Sequence, residues 1–303
     1  VTPLRIGTRG SALALAQASW VKQQIERVHP DAGVELRIIK TSGDRFVDTA
    51  ISNIGGKGVF TKEIEDALLC GQIDLAVHSL KDLPTQLPEG LVIAAVPPRE
   101  DARDVLVARR KQALSALPPG SKIGTGSLRR RAQLLHFRSE LAPVAIRGNI
   151  DTRLKKLDAG EVDALVLAAA GLRRLGKEDR IAEFLSDEVC VSAVGQGALG
   201  IESRKDGRLG EWARLLHHPE TFAEITAERA LLDRLGGGCH VPIGARARVE
   251  GKGLKMVGIV ASLDGASLCR GEIGGEASEA AELGRRLAEQ LIAKGADKLL
   301  SMP

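Results

Sequence analysis

The strongest constraint on this chain is a pattern that occurs twice. Residues 4–17, LRIGTRGSALALAQ, and residues 121–134, SKIGTGSLRRRAQL, each run an apolar strand end into Ile-Gly-Thr, then reach a serine and a helical pattern. Residues 68–82, LLCGQIDLAVHSLKD, and 157–171, LDAGEVDALVLAAAG, form a second matched pair, in which a helix ends at glycine and an acidic turn leads into an apolar strand. One further short strand lies inside each half, VELRIIK at 34–40 and PVAIRG at 143–148. The order is βαβαβ, twice. Strands that are apolar along their whole length are buried on both faces, so the pattern predicts parallel sheets covered by helices. Ligands of such sheets lie beyond the C-terminal strand ends, beside helix N-termini.

At 303 residues the chain exceeds one ordinary core. Two extended stretches, 91–108 and 189–203, join the halves, and two crossings between two domains describe a hinged cleft. Domain 1 is expected over 1–97 and 196–216, domain 2 over 98–195, and a small α+β domain over 217–303. The last contains an amphipathic helix at 221–235, with Phe222, Ile225, Leu231, Leu232 and Leu235 on its apolar positions. Three strand-like runs and a closing helix at 277–294 follow.

Polar side chains gather at the predicted strand ends. The strand IDLAVHSLKDLP runs into Ser79, Lys81 and Asp82 before Pro84 stops it. Arg9 and Ser11 stand at the first helix N-terminus, and Ser127, Arg129 and Arg130 at the matching point in the second half. Arg147 and Arg153 flank RGNIDTR, while Arg173 and Arg174 follow AAAGL. A solvated turn or a surface arginine face accounts for any one of these. Their shared topological position instead implies a polyanionic ligand, because helix N-termini attract anions and guanidinium forks match carboxylates. The glycine cluster with Lys57 in 41–65 lacks P-loop spacing and reads as a plain connection or a lid.

A nucleic-acid binder is disfavoured by the net charge of only +4 and by five Phe, two Trp and no Tyr. The four cysteines, Cys70, Cys190, Cys239 and Cys269, show neither CxxC spacing nor a zinc-ligand pattern. No metal site is expected. The N-terminal stretch lacks the apolar core of a signal peptide, and the longest apolar runs are too short to span a bilayer, so a cytoplasmic protein is expected. Cys239 sits in LGGGCHVPIG, where three glycines give up much conformational freedom around one thiol. It is a buried hydrophobe, a redox thiol or a covalent attachment point, and the flexible turn favours an approachable thiol.

Taken together and in order, AVHSLKDLP, GTGSLRRRAQL, RGNIDTRL, AVGQGALGIE and GGGCHVPIG resemble the porphobilinogen deaminase family. Ala12, Gly236 and His240 depart from residues common in relatives. The resemblance implies two hinged, periplasmic-binding-protein-like α/β domains plus a small C-terminal α+β domain carrying the cofactor cysteine. It implies head-to-tail condensation of four porphobilinogen molecules, with release of ammonia, on a dipyrromethane primer held by a thioether to Cys239. By position it assigns catalysis to Asp82. Ser79, Lys81, Ser127, Arg129, Arg130, Gly148 and Arg153 fall to the cofactor, and Arg9, Ser11, Phe60, Arg147, Arg174 and Gln196 to the substrate. A monomer without nucleic-acid or membrane partners is expected. A non-catalytic polycarboxylate binder of the same cleft fold is the alternative, and it would need neither Cys239 nor the third domain.

Overall fold

The computed structural model describes residues 3–31, 33–45, 60–207, 210–237 and 241–301. Cys239 and Lys57 lie outside them. The chain divides into two compact units, 1–100 with 198–222 and 101–197 with 223–303.

In the first unit, β1 (Leu4–Thr8) leads into α1 (Ala12–Val28), then β2 (Val34–Ile38), the short α2 (Ser42–Arg45), α3 (Lys62–Leu69), β3 (Leu75–Ser79) and β4 (Leu91–Ala95). The later strand β10 (Leu199–Arg204) and helix α7 (Gly210–Arg214) return to the same unit. The sheet order is β2-β1-β3-β10-β4. Leu4, Ile6, Leu75 and Val77 pack with Ala18, Val21 and Ile25 of α1. Ala76 and Ile73 pack with Ile64, Ala67 and Leu68 of α3. Both sheet faces are therefore covered, which is why β3 reads apolar at successive positions.

The second unit repeats the plan. Its elements are β5 (Asp104–Ala108), β6 (Lys122–Gly124), α4 (Leu128–Phe137), β7 (Ala142–Val144), α5 (Ile150–Asp158), β8 (Ala164–Ala168), α6 (Ala169–Arg174) and β9 (Glu183–Phe184). The order β7-β6-β8-β5-β9 matches that of the first sheet strand for strand.

Both sheets are mixed, and this corrects the expectation of purely parallel ones. β1, β2 and β3 are parallel, as are β6, β7 and β8, but β10 pairs antiparallel with β3 and β5 antiparallel with β8. These antiparallel strands come from the two stretches that read as extended connections. A strand entering from outside the βαβ run needs no crossover helix, so nothing forces it parallel.

The C-terminal part of the second unit is an antiparallel meander of β11 (Ile243–Glu250), β12 (Gly253–Ala261) and β13 (Leu268–Glu276), with α8 (Pro219–Arg234), α9 (Ala280–Ala293) and α10 (Ala296–Ser301). Leu231, Met256, Leu283, Leu287 and Leu291 form its core. Phe222, expected on the apolar face of α8, is 42% exposed and tilts against the His217 ring. Glu228 of α8 is fully buried, its carboxylate accepting from the backbone N–H of Gly195 and of Ala247. No helix among the described residues is long and apolar enough to cross a membrane.

Candidate functional site

In the first unit, β1 ends at Thr8 and the chain turns through Arg9 to Ser11, whose side chain caps α1 by accepting from the Ala14 N–H at 3.3 Å. β3 ends at Ser79, and a single 3-10 turn over Leu80–Asp82 follows. These strand ends lie side by side because β1 and β3 are parallel neighbours. Arg9, Ser11, Phe60, Ser79 and Asp82 line one pocket together with Gln17, Thr61 and His78. The Arg9 guanidinium stands 4.2 Å from the Phe60 ring centroid, a cation–π contact. Gln17 Nε2 donates to Ser79 Oγ at 2.8 Å. Asp82 is exposed, and Lys81 on the same turn is half-buried.

Gln17, Thr61 and His78 are pocket residues that the sequence reading missed. Two of them carried a signal: Gln17 ends the Ala/Leu stretch that opens α1 and is itself buried, and His78 interrupts the apolar run of β3.

The second unit gathers its polar groups differently. Asp104 opens β5 and is fully buried. Its carboxylate accepts from Arg129 at 2.7 Å, from Arg130 at 2.8 and 3.0 Å, and from Gln196 Nε2 at 2.8 Å. Burial works to raise the Asp104 carboxyl, but the charges of Arg129 and Arg130 outweigh it and hold the group far below the usual carboxylate range. Arg129 also donates to the Val191 carbonyl, and Arg130 to the Val166 carbonyl and Gln196 Oε1. Both guanidiniums are thus turned into the protein, toward Asp104.

Cys190 lies in the same cluster, its Sγ 3.3 Å from Asp104 Oδ2 and 3.4 Å from an Arg129 nitrogen. Burial, with the Asp104 carboxylate adding to it, pushes this thiol up to about 12, so it is held protonated. Asp104, Gln133 and Cys190 did not stand out in the sequence.

Ser127 caps α4 as Ser11 caps α1, accepting from the Arg130 N–H. Asn149 caps α5, and the preceding Gly148 has φ +105°, a conformation in which a Cβ would also strike the Thr152 side chain. Arg147 is half-buried at this turn. Arg153, from the first turn of α5, donates Nε to the Gly148 carbonyl at 2.8 Å. Burial lowers its guanidinium to about 10, and the charge of Arg130 adds to that. Among the described residues no carboxylate pairs with Arg153, so an incoming carboxylate would relieve an existing strain. Arg174 donates to the Gly197 carbonyl at 2.6 Å, beside Gln196. Among the described residues no cluster of His, Cys, Asp and Glu is placed to hold a metal.

Both repeats place arginines and serine-capped helix starts beside their strand ends, and the first adds the exposed carboxylate of Asp82, which makes this a two-repeat α/β protein with its polar groups gathered at the strand ends. A family model described as "Porphobilinogen deaminase, dipyromethane cofactor binding domain" matches residues 4–209, and one described as "Porphobilinogen deaminase, C-terminal domain" matches 222–293. The porphobilinogen deaminase of Syntrophotalea carbinolica is 51% identical over 299 residues, covering 98% of this chain and 95% of the relative. That of Pelobacter propionicus is 50% identical over 298 residues, covering 98% and 96%. The chain belongs to the porphobilinogen deaminase family.

The matched spans correct one expectation. The small C-terminal domain was to carry the cofactor cysteine, but the region described as cofactor binding is 4–209, which holds both α/β repeats. Within it, Cys190 is the thiol buried among Arg129, Gln133 and Asp104. The physical reason is that Arg129, Arg130 and Arg153 belong to helix starts beside the α/β strand ends, whereas the C-terminal meander is organised around an apolar core.

Proposed function

We infer that this chain is a transferase that condenses porphobilinogen head to tail on a covalently bound dipyrromethane, releasing ammonia and giving the linear tetrapyrrole hydroxymethylbilane. Family membership carries the reaction, and the half-buried guanidinium of Arg153, with no carboxylate partner among the described residues, is the observation that fits the cofactor. Every pyrrole of substrate and cofactor bears an acetate and a propionate, so cations must outnumber acids around them.

When bound, the dipyrromethane supplies a pyrrole ring with a free α-carbon. Arg153, Arg130 and the backbone at Gly148, with Ser127, Ser79, Lys81 and Arg129, hold its carboxylates directly or keep their neighbours in place. Arg9, Ser11, Arg147, Arg174 and Gln196 bind the incoming substrate's side chains. Phe60 offers a ring face that presently receives Arg9. Asp82 is the acid at the pocket. Loss of ammonia leaves the substrate as a cationic methylene-pyrrolenine, and a carboxylate beside the pyrrole nitrogen stabilises that charge by Coulomb attraction and a hydrogen bond. At about 4 Å and an effective dielectric near 20, such a pair is worth roughly 4 kcal/mol.

Intact mass of the purified chain, followed by mapping of the peptides that contain Cys70, Cys190, Cys239 and Cys269, tests this directly. An added mass of two linked pyrrole units is expected, and the map names the thiol that holds them. A chain without any pyrrole adduct, taken from cells able to make porphobilinogen, would leave only polycarboxylate binding.

A further inference from the structure

The first unit holds a buried titratable cluster that nothing above uses. His78 of β3 and Glu202 of β10 lie on the same face of their sheet, because Gly200 stands opposite His78 and Glu202 opposite Ala76. His78 Nε2 is 3.1 Å from Glu202 Oε2, with the two side chains 4% and 0% exposed. That face is covered by α3, which contributes Glu65, 7% exposed. Burial raises the Glu65 carboxyl above its usual range, and the Glu202 charge adds to the effect while His78 opposes it. Among the described residues, one oxygen of Glu202 and one of Glu65 have no hydrogen-bond partner. A purely structural pair would normally satisfy both. His78 also lines the pocket that contains Asp82.

The chemistry of each addition releases a proton there. The C–N bond of the protonated aminomethyl group breaks, and its electron pair leaves on nitrogen as ammonia. The α-carbon of the terminal ring forms the new C–C bond, and its C–H electron pair restores the ring as the hydrogen departs as a proton. We propose that His78 accepts this proton and that Glu202, behind it, stabilises the resulting imidazolium. The Nε2–Glu202 contact fixes the ring. Glu65 from α3 is the second acid facing the pair, with Asp66 beyond it; Arg9 after β1 and Asp82 after β3 are the charges lining the pocket. The proposal rests on this pocket being the reacting one.

The test is steady-state turnover of the loaded wild type, His78→Gln and Glu202→Gln, with intact mass to count the rings held and thermal melting to confirm folding. His78→Gln is expected to lower kcat on the order of 10- to 100-fold with little change in KM. Glu202→Gln, which removes the carboxylate behind the ring, is expected to lower kcat by less and likewise to leave KM in place. A kcat per folded molecule within about threefold of wild type in both variants would make the cluster structural and overturn the proposal. Should His78→Gln not fold, Glu202→Gln still decides by the same split of kcat and KM. Failure of the underlying reading looks different: Asp82→Asn would keep turnover whatever the His78 variants do.

Discussion

The two repeats start from nearly the same sequence and put their charges to different use. In the first, the arginine comes two residues before the capping serine, so Arg9 leaves the strand end and lines an open pocket with Phe60 and Asp82. In the second, the arginines come two and three residues after the capping serine, within the first turn of α4. There Arg129 and Arg130 turn inward onto Asp104 and are 4% and 6% exposed. A shift of a few positions about one cap thus separates a side chain that lines an open pocket from side chains buried against an internal carboxylate. Arg153 is a half-buried guanidinium of the second unit with no carboxylate partner among the described residues.

The largest effect should come from breaking the inward-turned pair. Asp104→Ala leaves two buried guanidiniums uncompensated, a change that costs roughly 3–5 kcal/mol in comparable sites. Urea denaturation should show a loss of unfolding free energy of that order, whereas Arg9→Ala, which touches the open pocket, should cost less than about 1 kcal/mol. Equal costs would erase the distinction between the repeats.

Next in size is Asp82→Asn. Its side chain is exposed, so the fold should be kept, while turnover should fall on the order of 10²- to 10³-fold as the charge that stabilises the cationic transition state is lost. The readouts are kcat together with an unchanged melting curve. Near-normal turnover would mean that the pocket's acid is not where positive charge develops.

A smaller pair of changes checks that the repeats are built alike. Ser11→Ala and Ser127→Ala each remove an N-cap, and each should cost about 1 kcal/mol. Differential scanning calorimetry reads both. A cost at Ser127 well above that at Ser11 would show that the second cap also holds Arg130 in place on Asp104.

How much of this was legible follows from the range of each interaction. The doubled βαβαβ order, the capping serines and the convergence of Arg9, Ser11, Ser79 and Asp82 rest on local pattern and strand-end logic, and the chain displays them openly. Asp104 was hidden because it lies 25 residues from Arg129, in a stretch that read as a connection; only pairing of β5 with β8 brings it under α4. The antiparallel direction of β5 and β10 was hidden for the same reason. His78 was in plain view as a polar residue inside an apolar strand, but its partner Glu202 is 124 residues away. Cys239, the feature that drew most notice in the sequence, lies outside the described residues, and the buried Cys190 drew none.

The smallest expected effect concerns Glu65, one of the first unit's buried acids, and contrasts it with Asp104. Asp104 has a folded pKa depressed below its unfolded value, so its stabilising contribution is present above the unfolded value and fades as pH falls toward the folded one. Glu65 has the opposite sign. Its folded pKa is raised, so its contribution is complete below the unfolded value and is lost as pH rises through the folded one. Glu65→Gln replaces the acid with a neutral amide of nearly the same shape. The variant should therefore gain on the wild type as pH rises from 4 to 8 and lose that advantage in acid, in melting temperatures taken across the range. A difference independent of pH would mean that the Glu65 carboxyl keeps one charge state throughout, and with it the first unit would lose its buried titrating acid.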